Sequence, residues 1–358
     1  MPAFERKYRI TKIVSKTGIS SRNVLIVYTG GTLGMVKDVT GALVPMRFNE
    51  ILDRVPELNT LDVGLTVISF PVTLDSSNIK PEDWVSIAYI IKENYQQYDG
   101  FVVLHGTDTM AYSASALSYI LKGINKPVIF TGAQLPIGAR RTDARVNLLT
   151  AIEIASTYEG DFPVVPEVCI FFDYKLFRGN RAQKEKSSLF AAFESENYPP
   201  LARTGITIEY NREAIAPYNP YALLEFNTEF DQNVVVLRIF PAISQQVVES
   251  ILAIHGLKGV IIESFGSGNA PTEPWFIQAL EEAINRGVIV LNVSQCAGGK
   301  VVQGRYATSS DLDRIGVIGG SDLTTEAAVT KMMYLLGNIK DREQVKKWLS
   351  VPISGEMS

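Results

Sequence analysis

The sequence contains few of the residues that bind metals or form disulfides. Its 358 residues include only two cysteines, Cys169 and Cys296, and two histidines, His105 and His255. So few Cys and His side chains, spread widely along the chain, predict no metal site. Both cysteines stand in apolar, strand-like contexts, which favours two buried, reduced thiols over a disulfide.

Long apolar runs and blocks of positive charge are also missing. No apolar run approaches the roughly 18 residues that span a bilayer, and residues 1–16 carry charges where a signal peptide has its apolar core. The net charge is −4, without a Lys/Arg block that would favour nucleic acid. We therefore expect a cytoplasmic globular protein, long enough for two domains, with no membrane or nucleic-acid partner.

Residues 99–121 contain the most informative stretch of the sequence. The apolar run of residues 101–104 predicts a buried parallel strand, and a helical pattern begins at Met110. Between them, Thr107, Asp108 and Thr109 place a carboxylate between two hydroxyls where the strand ends and the helix begins. Helix capping would explain these residues as well as a binding site would. Ligands, however, bind at this edge of open α/β sheets.

Three more polar turns follow predicted strands in the same half of the chain. They are TGGTLG at 29–34, LDSSN at 74–78 and TGAQLP at 131–136. Capping explains one such turn more readily than four, so we expect a shared pocket at the carboxyl edge of one sheet. Successive strand–turn–helix units also predict a doubly wound, mostly parallel α/β domain.

The predicted domain organisation has four parts. Residues 1–22 form an extension without a core face, and residues 23–202 form the larger, catalytic α/β domain. Residues 203–231 carry two prolines and no helical period, which indicates a linker. Residues 232–358 alternate apolar strands with helical patterns and predict a smaller, parallel α/β domain.

Several common catalytic and nucleotide-binding motifs are absent. The glycine turn at 29–34 lacks the GK[ST] ending of a P-loop, and the chain has no GxSxG elbow. The GSGNAP loop at 266–271 imitates a dinucleotide motif, but Pro271 occupies the position of its third small residue. Nucleotide binding and serine-hydrolase chemistry are therefore not predicted.

The residues that remain point to acyl transfer. A threonine hydroxyl needs a base or a proton relay before it can attack, and an Asp–Lys pair beside a second threonine would supply one. The RGNRAQK segment at 178–184 offers a lysine, although three cations in a loop are equally compatible with a solvated surface. Main-chain N–H groups of the glycine turn could stabilise an oxyanion. Hydrolysis of a small polar amide is the reaction that this set favours.

The chain resembles a known family through its motifs. TGGTLG, LDSSN, LHGTDTMAYSASALS, TGAQLP, RGNRAQK and GSGNAP occur in the order and spacing of the bacterial type I (cytoplasmic) L-asparaginases of the asparaginase/glutaminase family. The resemblance runs from about residue 23 to the end. It implies a two-domain α/β fold, a homodimer or homotetramer with sites at the interface, and no metal or organic cofactor. The implied reaction converts L-asparagine and water to L-aspartate and ammonia.

The resemblance also implies roles for individual residues. Thr32 matches the nucleophile, and Thr107, Asp108 and Lys184 match the second catalytic set. Ser76 matches the residue that binds the substrate α-carboxylate, and Asp108 also receives the α-ammonium group. The implied substrate-binding residues are Gly31, Asp75, Ser76, Ser77, Gly106, Thr107, Asp108 and, from the partner subunit, Asn269.

The sequence departs from the family pattern at two places. Members often have a tyrosine in the flap that helps to activate the nucleophile, but residues 40–44 (TGALV) have none, so the base for Thr32 is unassigned. Some type I members bind an asparagine effector through an arginine six residues before the loop asparagine. That position is Glu263 here, and Gln183 replaces a usual threonine. We therefore expect no effector clamp and hyperbolic kinetics.

Two other functions are compatible with parts of this pattern. The asparaginase-like subunit of the archaeal tRNA amidotransferase has an extra N-terminal domain, for which 22 residues are too few. A non-catalytic amino-acid-binding protein would keep Ser76 and Asp108 but would not need Thr32, Thr107 and Lys184 together.

Overall fold

The structure is a computed structural model that describes residues 8–13, 21–37, 40–302 and 307–358. The chain forms two compact units, Met1–Phe226 and Asn227–Ser358. Each unit has its own sheet and its own apolar core. The predicted two-domain α/β class, with a larger mostly parallel sheet and a smaller parallel one, is confirmed.

The first unit is built on a nine-stranded sheet with helices packed against it. Its strands are β1 (Arg9–Ile13), β2 (Arg22–Gly30), β3 (Met35–Lys37), β4 (Leu43–Pro45), β5 (Val63–Leu74), β6 (Gly100–Leu104), β7 (Val128–Thr131), β8 (Tyr158–Glu159), β9 (Phe162–Pro163), β10 (Val168–Phe172), β11 (Lys175–Arg178), β12 (Gln183–Lys184), β13 (Phe193–Glu194), β14 (Ala202–Thr204) and β15 (Ile208–Tyr210). Its helices are α1 (Phe48–Leu52), α2 (Pro81–Glu93), α3 (Met110–Ile120) and α4 (Ala144–Ser156).

The large sheet has the order β1-β5-β2-β6-β7-β10-β11-β14-β15. The five strands from β5 to β10 are parallel, whereas β1 and the three strands beyond β10 join antiparallel. Every residue of β6 is buried, because a central parallel strand is covered on both faces. The continuous apolar run at 101–104 therefore predicted this strand correctly.

The sheet includes two segments that the sequence analysis placed outside it. The predicted extension contains β1, which pairs with β5 and buries Ile13. The predicted linker begins inside the sheet, because β14 and β15 pair with each other over residues 202–210. Both segments lie at the outer ends of the sheet in short strands, and their partly exposed residues give little hydrophobic signal.

The second unit is a four-stranded parallel sheet with five helices in its described residues. Its strands, in sheet order, are β16 (Val234–Arg238), β17 (Gly259–Ser264), β18 (Ile289–Ser294) and β19 (Ile318–Gly319). Its helices are α5 (Gln245–Leu252), α6 (Pro274–Asn285), α7 (Ala307–Arg314), α8 (Thr325–Asn338) and α9 (Arg342–Leu349). The predicted smaller, parallel α/β domain is confirmed.

The two cysteines differ in burial. Cys169 lies in β10 and is buried, as predicted, and burial raises the pKa of its thiol. Cys296 was predicted to be buried but is exposed, because β18 ends at Ser294 and the cysteine belongs to the following turn. Within the described residues, no helix is long and apolar enough to cross a membrane.

Candidate active site

Three polar turns of the first unit meet at one edge of the large sheet. They follow β2, β5 and β6, which are adjacent and parallel in the order β5-β2-β6. The carboxyl ends of parallel neighbours lie at the same edge. The structure thus brings together the turns that begin at Thr32, Asp75 and His105.

Two glycines allow these turns to touch. A Cβ added to Gly31 would lie 2.7 Å from the main-chain nitrogen of Gly106, and one added to Gly106 would lie 2.5 Å from Ser76 Oγ. Gly31 also has a φ of 91°, which side-chain-bearing residues rarely adopt. Glycine is therefore required at both positions, and Gly31, Ser76 and Gly106 lie in direct contact.

Lys184 completes a set with two residues of the β6 turn. Its Nζ donates to Thr107 Oγ1 at 2.8 Å and to Asp108 Oδ1 at 2.6 Å. The Lys184 side chain is 14% exposed, whereas that of Asp108 is 65% exposed. Lys184 is held there by β12, which pairs with β13 through Phe193. The sequence left the position of this lysine open, and the structure places it on the Thr-Asp pair.

Capping does not account for Thr107 and Asp108. Thr109 is the N-cap residue of α3, and its side chain makes no cap hydrogen bond; it donates instead to the carbonyl of Ser76 at 2.8 Å. Thr107 and Asp108 bind Lys184. Capping does describe Asp75, whose Oδ1 accepts from the Ser77 N–H at 3.0 Å.

Thr32 is half-buried and begins a short 3-10 turn, Thr32–Gly34, after the contacting Gly31. Its hydroxyl makes no side-chain hydrogen bond to any residue that the structure describes. The flap that follows is the hairpin of β3 and β4. The hydroxyl is therefore not consumed by capping, and no base for it emerges from the described residues.

Gln134 is a site residue that the sequence analysis missed. Thr107 Oγ1 donates to Gln134 Oε1 at 3.4 Å, and Gln134 Nε2 donates to the carbonyl of Leu189 at 2.9 Å. Its main-chain N–H donates to Asp143 Oδ2 at 2.8 Å. Gln134 lies in the fourth polar turn of the sequence, but no spacing in the sequence indicates that this turn contacts Thr107.

His105 supports the same turn from inside the core. It is buried; its Nδ1–H donates to the carbonyl of Gly106 at 2.7 Å, and its Nε2 accepts from Ser113 Oγ at 2.9 Å. Ser113 Oγ in turn accepts from Trp84 Nε1 at 2.9 Å. Burial lowers the pKa of His105 to about 4, so the ring is neutral near pH 7 and fixes the turn rather than transferring protons.

The second unit contains the remaining predicted residues. Asn269 is half-buried in a turn closed by main-chain hydrogen bonds to Phe265. Glu263 is buried; its carboxylate accepts from Arg238 Nη1 at 3.1 Å and from Thr325 Oγ1 at 2.5 Å. The carboxylate at the expected effector position thus already has a cationic partner. Gln183, in the first unit, pairs with Glu194 in the β12–β13 ladder.

The described residues contain no group of three His, Cys, Asp or Glu side chains that could hold a metal ion. The groups that the polar turns present are hydroxyls, one exposed carboxylate, one lysine and main-chain N–H groups.

The described turns place Thr32 and the Thr107, Asp108 and Lys184 set at the carboxyl edge of a parallel sheet, which is where α/β enzymes bind their ligands. The family follows from sequence comparison. The model Asparaginase, N-terminal matches residues 23–216, and the model Glutaminase/Asparaginase C-terminal domain matches residues 233–349. The chain belongs to the asparaginase/glutaminase family.

Three proteins are similar to this chain over nearly its whole length. L-asparaginase 1 of Escherichia coli (strain K12) is 41% identical over 342 residues, which cover 95% of this chain and 99% of the relative. The 60 kDa lysophospholipase of Homo sapiens is 41% identical over 361 residues, covering 94% of this chain and 62% of the relative. The crystal structure of L-asparaginase I from Vibrio cholerae has a TM-score of 0.85 and 39% identity, covering 94% of this chain and 99% of that one.

Proposed function

We propose that the protein hydrolyses L-asparagine to L-aspartate and ammonia, with Thr32 as the nucleophile. One observation carries the proposal: Lys184 Nζ bonds both Thr107 and Asp108, beside a glycine turn that presents the unbonded hydroxyl of Thr32. The similarity to L-asparaginase 1 of E. coli over nearly the whole chain supports the same reaction.

The reaction has two halves. The Thr32 oxygen attacks the carbon of the side-chain amide, the C–N bond breaks, and the nitrogen leaves as ammonia with the proton that Thr32 gives up. Water then attacks the Thr32 ester, one water proton returns to the Thr32 oxygen, and aspartate leaves. Main-chain N–H groups of the glycine turn stabilise the charge on the carbonyl oxygen in both halves.

Thr107, Asp108 and Lys184 act as one proton-handling set. Lys184 donates to Thr107 Oγ1 while the Thr107 hydroxyl donates to Gln134, so the direction of each hydrogen is fixed. A positioned relay of this kind contributes about 10²–10⁴-fold to the rate. Asp108 keeps the ammonium of Lys184 in place and leaves its exposed face for the substrate.

Substrate recognition uses both α-groups of asparagine. Ser76 receives the α-carboxylate and Asp108 the α-ammonium group, while Gly31 and Gly106 allow the substrate to lie against the main chain. Asp75 and Ser77 shape the turn that presents Ser76. Because both α-groups are gripped, glutamine would misplace its carbonyl by about an ångström, which costs about 100-fold in kcat/KM.

We further propose that the working form is a homo-oligomer in which Asn269 of one copy completes the site of another. Dilution to monomer should then abolish activity while the far-UV circular dichroism stays unchanged. Full specific activity of a protein shown to be monomeric by light scattering would contradict this assembly.

Ammonia release by the purified protein tests the function. We expect kcat/KM for L-asparagine to exceed that for L-glutamine about 100-fold, and fatty-acid release from a lysophospholipid to be absent. Thr32→Ala should lower kcat by several powers of ten with an unchanged Tm, and Thr107→Val should be similarly damaging. Thr60→Ala, at an exposed threonine of another 3-10 turn, is the matched control. A Thr32→Ala variant that keeps a tenth of the activity would refute the nucleophile.

A further inference from the structure

A second concave site lies beside the large sheet and is not used by the proposed reaction. It is a cavity of about 510 Å³ between the edge strand β1, its neighbour β5 and the segment from β4 into α1. This volume is typical of small-molecule sites, which range over about 300–1,000 Å³. One wall is β1, which precedes residue 23, where the family-model match begins.

Two arginines from different elements line this cavity. Arg9 belongs to β1 and pairs across the ladder with Ser69, and Arg47 immediately precedes α1. Both side chains are exposed, and neither guanidinium has a hydrogen bond or ion pair with any described residue. Two unpaired guanidinium groups in one concavity leave its positive charge uncompensated.

The described lining contains no acidic residue to offset this charge. Its other polar side-chain groups are neutral: the hydroxyls of Thr11, Tyr28, Ser69 and Thr73 and the amide of Asn49. The hydroxyls of Ser69 and Thr73 have no partner among the described residues. Burial and, to a smaller extent, the charge of Glu50 raise the pKa of Tyr28 in the lining, and Glu50 itself lies outside the lining.

The floor of the same cavity is apolar. Met46, Phe48 and Phe70 line it and are buried. A bare inorganic anion would contact the guanidinium groups but leave this floor and most of the volume unfilled. The arrangement therefore favours an anion carried on an apolar or aromatic body.

We propose that this cavity, the Arg9–Arg47 pocket, binds a phosphate group, with the phosphate between the two guanidinium groups and any organic body against the apolar floor. Guanidinium groups bind phosphate oxygens through paired, charge-assisted hydrogen bonds, and the hydroxyls can donate to the remaining oxygens. The pocket borders the proposed active site, since Tyr28 in its lining hydrogen-bonds the carbonyl of Gly34 at 3.3 Å.

Isothermal titration of the full-length protein with inorganic phosphate, phenyl phosphate and phenol tests the proposal. We expect phenyl phosphate to bind more tightly than inorganic phosphate and phenol not to bind. Arg9→Gln and Arg47→Gln should each weaken phenyl phosphate at least about tenfold, and Asn49→Asp, which adds an acid to the lining, should weaken it further. Asparagine hydrolysis without added phosphate should be unchanged in all three variants.

Arg203→Gln is the matched control. Arg203 is exposed on β14, has no ion pair with a described residue, and lies outside the cavity lining. It should bind phenyl phosphate as the parent protein does. Binding of phenol as tight as that of phenyl phosphate, equal weakening by Arg203→Gln, or no binding of either phosphate would overturn the proposal. Circular dichroism of each variant separates loss of binding from loss of fold.

Discussion

Both units contain a lysine–carboxylate pair with 2.6 Å between nitrogen and oxygen, but the two pairs differ in their exposure to solvent. In the first unit Lys184 bonds Asp108, whose side chain is 65% exposed. In the second unit Lys331 bonds Glu356, and both side chains are 0% exposed. The distance is identical, so the difference between the two pairs lies in what else their atoms contact.

The buried pair uses nearly all of its hydrogen-bonding groups within the protein. Lys331 Nζ also donates to the carbonyl of Val351 at 2.7 Å, and the Glu356 carboxylate accepts from the N–H groups of Ile353 and Ser354 at 2.9 and 2.8 Å. Burial lowers the pKa of Lys331. Since nearly every donor and acceptor is used within the protein, this pair fastens the C-terminal segment to α8.

The open pair, by contrast, keeps an exposed carboxylate and a hydroxyl contact. Ion pairs open to solvent contribute about 0–1 kcal/mol to stability, so the position of Lys184 is not explained by stability. Exposure and spare hydrogen-bonding capacity, rather than pair distance, therefore separate a group suited to chemistry from one suited to structure.

Removing the open lysine gives the largest expected effect. Lys184→Met should lower kcat about 10⁴-fold, or about 5 kcal/mol in activation free energy, because Thr107 and Asp108 lose their common donor. The Tm should change little. Steady-state ammonia release and thermal unfolding measure the two quantities. Lys186→Met, which removes an exposed lysine two residues away, should keep normal kcat; a comparable loss in that control would contradict the assignment.

Removing the buried lysine should instead lower stability and leave activity nearly unchanged. Lys331→Met leaves the Glu356 carboxylate buried without its cation and should lower the free energy of unfolding by about 3–5 kcal/mol. The kcat of the folded fraction should stay near the parent value. Urea unfolding gives the free energy, with Lys346→Met as the control at an exposed pair. Adding Glu356→Leu to Lys331→Met should restore part of the stability, and a further loss would speak against an uncompensated charge as the cause.

His105 extends the comparison to a buried group that is neutral. Its pKa is about 4 in the folded protein and about 6.5 when unfolded. The contribution of His105 to the free energy of unfolding is therefore complete above about pH 6.5. It is lost as the pH falls toward 4, because the unfolded ring takes up a proton before the folded ring does. This loss amounts to about 3 kcal/mol.

The difference in unfolding free energy between pH 7 and pH 4.5 measures the contribution of His105. His105→Gln should lose less stability than the parent protein over this interval, whereas His255→Gln, at the exposed histidine, should behave as the parent does. Equal pH dependence of the parent and His105→Gln would show that the ring does not carry the effect.

Gln134 accepts a hydrogen bond from Thr107 and so extends the set formed by Thr107, Asp108 and Lys184. Gln134→Leu removes the acceptor of the Thr107 hydroxyl and should lower kcat about tenfold. KM should stay within about twofold, because Gln134 positions Thr107 without touching substrate. Gln134→Glu retains an acceptor and should recover part of kcat. Equal activity of the Leu and Glu variants would leave Gln134 without a positioning role.

Glu263 forms an ion pair of intermediate exposure and gives the smallest expected effect. Its carboxylate already bonds Arg238 and Thr325, so it offers nothing to an effector carboxylate. Initial rates should follow a hyperbola with a Hill coefficient near one, both in the parent protein and in Glu263→Gln. Sigmoidal rates from a stable oligomer would show that an effector binds through other contacts.

The sequence predicted those parts of the site that rest on local pattern. Thr107 and Asp108 follow a buried strand directly, so their place at the sheet edge could be inferred. Lys184 could not be placed, because its position depends on the two-residue ladder with β13, which has no periodicity to detect. The support of His105 by Ser113 and Trp84 joins three different elements, and no spacing rule indicates such a contact.

Edge strands and turns account for the other misses. β1, β14 and β15 are short and partly exposed, so their residues lack the apolar run that identified β6. Cys296 lies only two residues beyond β18, and an apolar context in the sequence could not show where that strand ends. Hydrophobic pattern identifies central strands well and sheet edges poorly.

The order of the central strands has a consequence for folding kinetics. β2 pairs with β5 and with β6, and both partners are distant from it in the chain. Val24 pairs with Leu65, and Ile26 pairs with Val102. Closing such long loops is slow compared with helix formation. The contact of Gly31, Ser76 and Gly106 therefore cannot exist before both pairings are complete. During refolding, enzymatic activity should consequently return later than helical circular dichroism.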